Sequence, residues 1–318
     1  MVENSRRFAE DVRNGLTDTA KSLPPKYFYN DKGDRIFQQI MHLDEYYLTR
    51  CEYEILDQEK SSLLSFFAKD REPFQLIEFG AGDGLKTKLL LKHFLEAGAS
   101  FVYEPIDISE NALHILSTSV RHAFPGIPLN AIQADYFKAL EDLNRRDGRR
   151  KVILFLGSSL GNLTEAETHV FLHGLKKHLG PDDYVLIGLD LKKDPQVILN
   201  AYNDSRGITR SFNMNLLERM NEELNANFDV TKFIHYPVYD VSCGEARSYL
   251  ISTEKQKIRF PALGMDITFN AWESIHTEIS RKYDDQSIEC MAAFSGFKVA
   301  ENFYDRKKFF VDTLWQIR

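Results

Sequence analysis

Two kinds of hydrophobic spacing alternate through the middle of the chain. Between residue 74 and about residue 195, short apolar runs of strand length recur: Phe74 to Phe79, Phe101 to Ile106, Leu129 to Ala134, Lys151 to Leu156 and Tyr184 to Leu189. Between them lie longer stretches with apolar residues at helical spacing, Leu85 to Ala97, Ser109 to Phe124 and Glu165 to Leu179, with Ser109 as an N-cap. This alternation predicts an α/β fold with a mostly parallel sheet covered by helices. Acidic or small polar residues stand at the strand exits: Glu78, Asp107, Asp135, Gly157-Ser158-Ser159 and Asp190. Sheets of this kind bind ligands at the carboxyl ends of their strands.

The flanking segments follow other patterns. Residues 5 to 70 read as helical, with Phe8 to Leu16 a short amphipathic piece and Asp34 to Met41 another helix. Ser22 to Lys26 is an extended turn, because each proline pushes its predecessor out of the α region. Thr49 precedes Glu52 by three, the spacing of a capping box for a helix running to Phe67. Tyr27, Phe28, Tyr29, Tyr46 and Tyr47 give this region an unusual aromatic set. After residue 195, Val197 to Asp204 and Ile208 to Asn225 read as helices, Ala246 to Ile251 and Gln256 to Phe260 as strands, and Ala271 to Ile279 as an acid-bearing helix. Phe297 to Phe303 and Phe309 to Ile317 read as two closing strands. The expected divisions are a helical part over 1–60, a core over 61–195, an insertion over 196–285, and final core strands over 286–318.

Composition narrows the chemistry. Of 318 residues, 43% are apolar and 27% charged, with a formal net charge of −7. An acidic chain without a basic face argues against nucleic acid and anionic membranes as partners. Arg145, Arg146, Arg149, Arg150 and Lys151 form a local basic cluster, interrupted by Asp147 and Gly148, and read as a solvated loop. No stretch has the length of a membrane span, and the N-terminus lacks an apolar signal core. Cys51, Cys243 and Cys290 are scattered, as expected of reduced thiols in a cytoplasmic protein. His169, His173 and Glu165 share a helix face, but no metal-binding motif surrounds them, so no metal is expected.

The densest chemical signal is the run Leu76-Ile77-Glu78-Phe79-Gly80-Ala81-Gly82-Asp83-Gly84. A strand breaks into three glycines and then opens a helix through Leu85, Lys86 and Thr87. Glycines there let backbone approach a ligand closely. Glu78 and Asp83 fit poorly with the diphosphate that this turn holds in dinucleotide enzymes. They suit a cofactor with an ammonium group and no phosphate, S-adenosylmethionine (SAM). Asp107 is placed for ribose hydroxyls. Asp135 is placed for the adenine amino group, and Tyr136 for one ring face. The bland alternative is a set of acidic N-caps on ordinary α/β helices.

Beyond this site, the chain resembles the SAM-dependent histidine Nα-methyltransferases of ergothioneine biosynthesis from Asp11 almost to Arg318. The matching blocks are Lys21-Ser22-Leu23-Pro24-Pro25-Lys26-Tyr27-Phe28-Tyr29, Glu45-Tyr46-Tyr47-Leu48-Thr49-Arg50, Phe155-Leu156-Gly157-Ser158-Ser159-Leu160-Gly161-Asn162-Leu163 and Thr277-Glu278-Ile279-Ser280. The resemblance implies a Rossmann-like class I methyltransferase core plus a smaller substrate-binding domain built from the N-terminal segment and the late insertion. It implies trimethylation of the histidine α-nitrogen to give hercynine. Tyr46, Asn162, Tyr202, Glu278 and Ser280 then fall at the amino-acid substrate, with Ser248 beside Glu278. Tyr29 and Asn162 fall at the reacting amine, and Gly80, Lys86, Asp107, Asp135 and Tyr136 at the cofactor, to which the glycine turn itself adds Gly82.

Two departures stand out. The family's well-known histidine-binding members have methionine where this chain has Ser248, which leaves more room and polarity. They also have a Ser/Thr-rich turn where this chain has Ala81-Gly82-Asp83-Gly84. Related fungal enzymes methylate a prenylated tryptophan, and Glu278 argues against an indole here. Competing expectations are a family enzyme acting on another amino acid or histidine derivative, and a SAM-binding protein without catalysis. The protein is expected to act as a monomer.

Overall fold

The computed structural model describes residues 3–69, 72–135, 138–139 and 149–318, with side chains from Arg6 onward. Tyr136, Arg145 and Arg146 lie outside the described residues. In chain order the elements are α1 (Glu3–Thr17), α2 (Asp31–Met41), α3 (Leu48–Phe67), β1 (Phe74–Phe79), α4 (Leu85–Glu96), β2 (Phe101–Asp107), α5 (Glu110–Ala123), β3 (Ile132–Gln133) and β4 (Arg150–Phe155). There follow α6 (Glu165–Lys177), β5 (Tyr184–Asp190), α7 (Pro195–Tyr202), α8 (Ile208–Leu224), β6 (Phe233–Asp240), β7 (Glu245–Ser252), β8 (Gln256–Phe260) and β9 (Met265–Phe269). The chain closes with β10 (Ser274–Arg281), α9 (Asp285–Phe294), β11 (Phe297–Tyr304) and β12 (Phe310–Ile317). They fall into two units, residues 1–47 with 193–281 and residues 48–192 with 282–318.

The second unit holds a seven-stranded sheet in the order β11-β12-β5-β4-β1-β2-β3. The first five strands of the chain run parallel, and β12 lies antiparallel to both β5 and β11. Strand order reverses at β1, which has β2 on one side and β4 on the other, and that reversal opens the ligand crevice of an α/β sheet. This is the expected Rossmann-like class I arrangement. β1 and β5 are buried along their whole length, which is why they read as unbroken apolar runs. The core beneath them includes Ile77, Phe79, Ile153, Phe155, Phe171, Ile187 and Trp315. The first division falls at 47/48 because α3 packs on α4 and β12, with Phe67 meeting Phe74 at 6.2 Å and Phe94 at 6.0 Å between ring centres. Gly84 has φ +64°, and a Cβ there would lie 2.2 Å from Leu116 Cδ1, so glycine lets the start of α4 approach α5.

Two sequence expectations change in this unit. Thr49 lies inside α3, and Glu52 is fully buried in contact with other elements; it is not half of a capping box. Glu78 is 3% exposed, and its two oxygens accept hydrogen bonds from Thr87 Oγ1 and Tyr103 Oη, each at 2.5 Å. Both oxygens therefore tie β1 to α4 and β2, and the carboxyl that suggested an ammonium partner is a structural tie. Burial raises its pKa to about 7, against the opposing pull of the Thr87 and Tyr103 hydroxyls.

The first unit holds a three-stranded antiparallel sheet, β10-β7-β6, and a two-stranded hairpin, β8-β9. Its core joins Phe8, Val12 and Leu16 of α1 to Leu216, Leu217 and Met220 of α8 and to Phe233, Phe260, Phe269 and Ile275 of the strands. Sequence-distant parts meet at β10: Leu23 N donates to the His276 carbonyl and His276 N to the Lys21 carbonyl, both at 2.9 Å. The expected helix over 271–279 is instead a turn followed by β10. Its alternation is broken because the β7–β10 register shifts between His276 and Glu278, a bulge that hides the period of two. The Thr277 hydroxyl at that bulge is fully buried, 2.8 Å from Asn213 Oδ1 and 3.1 Å from the Ser248 carbonyl. β6 and α9 were not foreseen. α9 buries only Ile288 and Ala292, too sparse a pattern to announce a helix, although Asp284 and Ser287 form a capping box.

Two predictions follow from these buried polar groups. A carboxyl whose folded pKa lies above its unfolded value favours the fold below the unfolded value, and that contribution is lost as pH rises through the folded one. For Glu78 the window runs from its ordinary 4.5 to about 7, and the loss is about 3 kcal/mol. In thermal melts Glu78→Gln should gain several degrees on the parent between about pH 5 and pH 8; an offset independent of pH would contradict the burial account. Thr277→Val keeps the shape and removes the hydroxyl, leaving Asn213 Oδ1 short of a donor. It should cost about 1–3 kcal/mol in denaturant unfolding, and a neutral variant would show that the hydroxyl does not fix the bulge.

Candidate active site

In the second unit, the expected cofactor residues gather at the carboxyl ends of β1, β2 and β3. The chain leaves β1 through Gly80 (φ +68°), whose N–H donates to the Ile106 carbonyl at 2.8 Å. Gly82 (φ +53°) donates its N–H to Asp107 Oδ2 at 3.0 Å, so the acid at the end of β2 clasps the glycine turn. The other Asp107 oxygen accepts the Ser109 N–H at 2.9 Å. Burial pushes the Asp107 carboxyl up, and the backbone donors Ser109, Gly82 and Ile108 pull it back. Asp135 follows β3 and accepts the Lys138 N–H at 2.9 Å, the geometry of an N-cap. The bland reading thus holds for part of Asp135. Asp83 likewise accepts the Leu85 N–H at 3.0 Å, at the start of α4.

These residues fit the nucleoside end of SAM. A Cβ on Gly82 would meet nothing within 4 Å, so the backbone there borders open space. Asp107 is held rigidly by backbone donors yet keeps lone pairs for ribose hydroxyls. Lys86, in the first turn of α4, is ion-paired with Glu52. Asn162 is the last residue of a 3-10 turn, Ser159–Asn162, that follows β4, and its side chain is half-buried. Among the described residues, no group of three or more His, Cys, Asp and Glu is arranged to hold a metal ion.

In the first unit, the expected substrate residues form two neighbouring sets. Tyr29 lies edge-on to Phe37 and to Phe212, each at 5.6 Å, and Phe37 in turn meets Tyr46 edge-on at 6.3 Å. The second set lies on the small sheet. Glu278 stands directly opposite Ser248 across the β7–β10 pair, with Ser248 Oγ 3.4 Å from Glu278 Oε2, the long edge of hydrogen bonding. Ser280, two residues on, accepts a 2.7 Å hydrogen bond from the Tyr202 hydroxyl at the end of α7. Ser248, Ser280 and Tyr202 are buried, and Glu278 is half-buried. Successive residues of α8 connect the two sets: Phe212 packs on Tyr29, and Asn213 bonds Thr277, the neighbour of Glu278. Sequence reasoning missed Asn213; its signal was a polar residue in the buried run Phe212-Asn213-Met214-Asn215-Leu216-Leu217.

The whole sequence matches known proteins in the same sense as this geometry. The model of one family, described as histidine-specific, SAM-dependent methyltransferases, matches residues 8–317. The chain is 36% identical over 286 residues to histidine N-alpha-methyltransferase of Mycobacterium tuberculosis, covering 90% of this chain and 87% of that protein. It is 34% identical over 288 residues to the Mycolicibacterium smegmatis protein of the same name, covering 91% and 88%. It is 30% identical over 290 residues to ergothioneine biosynthesis protein 1 of Neurospora crassa, covering 88% of this chain and 32% of that longer protein. The chain belongs to the family of histidine-specific, SAM-dependent methyltransferases.

Proposed function

We propose that the protein transfers methyl groups from SAM to the α-amino nitrogen of L-histidine, giving trimethylhistidine (hercynine) for ergothioneine synthesis. The observation that carries this reading is Glu278, an acid set by a β-bulge opposite a serine and two residues from Ser280. A half-buried carboxylate favours a ring with an N–H to donate over phenyl or aliphatic side chains, which offer it no hydrogen bond. Ser280, already oriented by Tyr202, completes the hydrogen-bonding pattern of an imidazole.

The Asn162 amide supplies donors for the substrate carboxylate, and Tyr202, whose hydroxyl donates to Ser280, acts on the substrate through that serine. Tyr29 and Tyr46 orient the α-nitrogen without adding charge. Bound SAM supplies a methyl group already made electrophilic by its sulfonium. The remaining work is positional: to present a neutral amine lone pair, exclude water and let one proton leave per transfer. That proton leaves to water or through the Tyr29 hydroxyl. Each transfer removes a donor from the nitrogen and leaves it more apolar and cationic. The faces of Tyr29 and Tyr46 accept such a cation through cation–π attraction of roughly 0.5–2 kcal/mol, which suits successive turnovers. Gly80, Gly82, Lys86, Asp107 and Asp135 serve the cofactor, with Tyr136 assigned there from sequence. The acidic composition and three free cysteines fit a monomer working in the cytoplasm without nucleic acid.

Ser248 favours one variant reading. A small hydroxyl beside Glu278 leaves space for a substituted imidazole, so a histidine derivative or another amino acid is the alternative substrate. Mass spectrometry of products after incubation with SAM and a pool of the amino acids separates the two. Histidine carrying one, two and three added methyls is expected; methylation of a different amino acid with histidine untouched would refute the assignment. Glu278→Ala should raise the histidine KM at least about tenfold while leaving S-adenosylhomocysteine affinity nearly unchanged. Equal losses of both would remove the ring-binding role.

A further inference from the structure

Glu52 is a heavily constrained group of the second unit, and no expectation from the sequence placed it at the site. Its side chain is 1% exposed. One oxygen, Oε2, is ion-paired with the Lys86 ammonium. The Gly157 N–H donates to the same carboxylate, 2.7 Å from Oε1 and 3.0 Å from Oε2. Gly157 (φ +75°) and Ser158 (φ +57°) are two successive left-handed residues between β4 and the turn that ends at Asn162. Such a conformation costs a non-glycine residue about 1–3 kcal/mol and persists only where the surroundings over-determine it. Here Glu52 holds Gly157, and Ser158 Oγ accepts the Asp190 N–H at 3.1 Å.

The fold also clears space for this carboxylate. Gly188 of β5 lies beside it, and a Cβ there would sit 2.0 Å from Glu52 Oε1 and 3.1 Å from Asp312 Oδ1. Asp312, paired in register with Gly188, is fully buried, and neither of its oxygens meets a donor among the described residues. The two carboxyls thus lie side by side, with the Lys86 ammonium ion-paired to Glu52. Burial, and then the Glu52 charge, push the Asp312 carboxyl well above its ordinary range. Burial works against the Lys86 charge, but Glu52, helped by Asp312 and Glu78, more than offsets it and pushes the Lys86 ammonium up from its ordinary range.

We propose that Glu52 is a positioning residue for methyl transfer, whose one carboxylate sets Lys86 at the cofactor and the Gly157–Asn162 turn at the substrate. The proposal rests on the reading of Lys86 as a cofactor residue and Asn162 as a substrate residue. It makes two replacements behave differently. Glu52→Gln keeps an oxygen for the Gly157 N–H but loses the ion pair. Glu52→Ala loses both.

The test is calorimetric binding of S-adenosylhomocysteine together with histidine KM from initial rates, each measured below the melting temperature of the variant. Glu52→Gln should weaken S-adenosylhomocysteine at least about tenfold with the histidine KM within about twofold of the parent. Glu52→Ala should weaken the first and raise the second. Gly188→Ala displaces the same carboxylate without changing its charge and should also weaken S-adenosylhomocysteine. A folded Glu52→Gln protein with parental affinity, or variants that only melt earlier, would overturn the proposal. Lys86→Met with parental affinity would instead remove the reading of Lys86, and the proposal with it; that variant leaves Glu52 in place, so the two failures are distinguishable.

Discussion

One buried hydroxyl, that of Thr277, decides what the sole acid of β10 faces. Carrying the register on from His276 opposite Tyr249 would set Thr277 opposite Ser248 and Glu278 opposite Arg247. A slip of one residue turns every side chain to the other face of the sheet. The bulge absorbs that residue, so Glu278 stands opposite Ser248 and shares a face with Ser280. Its anchor lies deep: Thr277 and Asn213 are both fully buried, and the bond between them fixes strand to helix. The same helix turn presents Phe212 to Tyr29. The residues proposed for ring and amine recognition in this unit are therefore tied to adjacent residues of α8.

The second unit follows the rule that a buried charge persists only when paired. Glu52 holds Lys86 and the Gly157 N–H, Asp107 holds the glycine turn, and Asp190 is ion-paired with Lys282 at 2.8 Å with both side chains fully buried. These ties stand at strand ends, where a parallel sheet offers its ligand crevice. They tie the elements that border the crevice to one another. Methyl transfer needs that, since the chemistry asks chiefly for alignment.

Much of this was legible in the sequence, for identifiable reasons. Buried parallel strands announce themselves as apolar runs, and the glycine turn after β1 as a backbone feature that few other residues permit. The antiparallel unit was harder. β10 carries a bulge, so its alternation fails where it matters and the segment passed for a helix. Glu52 looked like half of a capping box, because spacing along the chain cannot show that Gly157 and Lys86 converge on it from 105 and 34 residues away. Glu78 looked like a ligand group because composition cannot tell an acid that faces a crevice from one that ties three elements together. The residue types of the substrate set carried little signal one by one. They gained meaning through membership of long blocks shared with a family.

The account comes down to an acid that grips the substrate ring. A crystal structure with S-adenosylhomocysteine and L-histidine bound tests it most directly. The account predicts a ring nitrogen within about 3.2 Å of a Glu278 carboxylate oxygen, with Ser280 hydrogen-bonded on the same ring. An imidazole bound away from Glu278, with that carboxylate facing solvent, would contradict it.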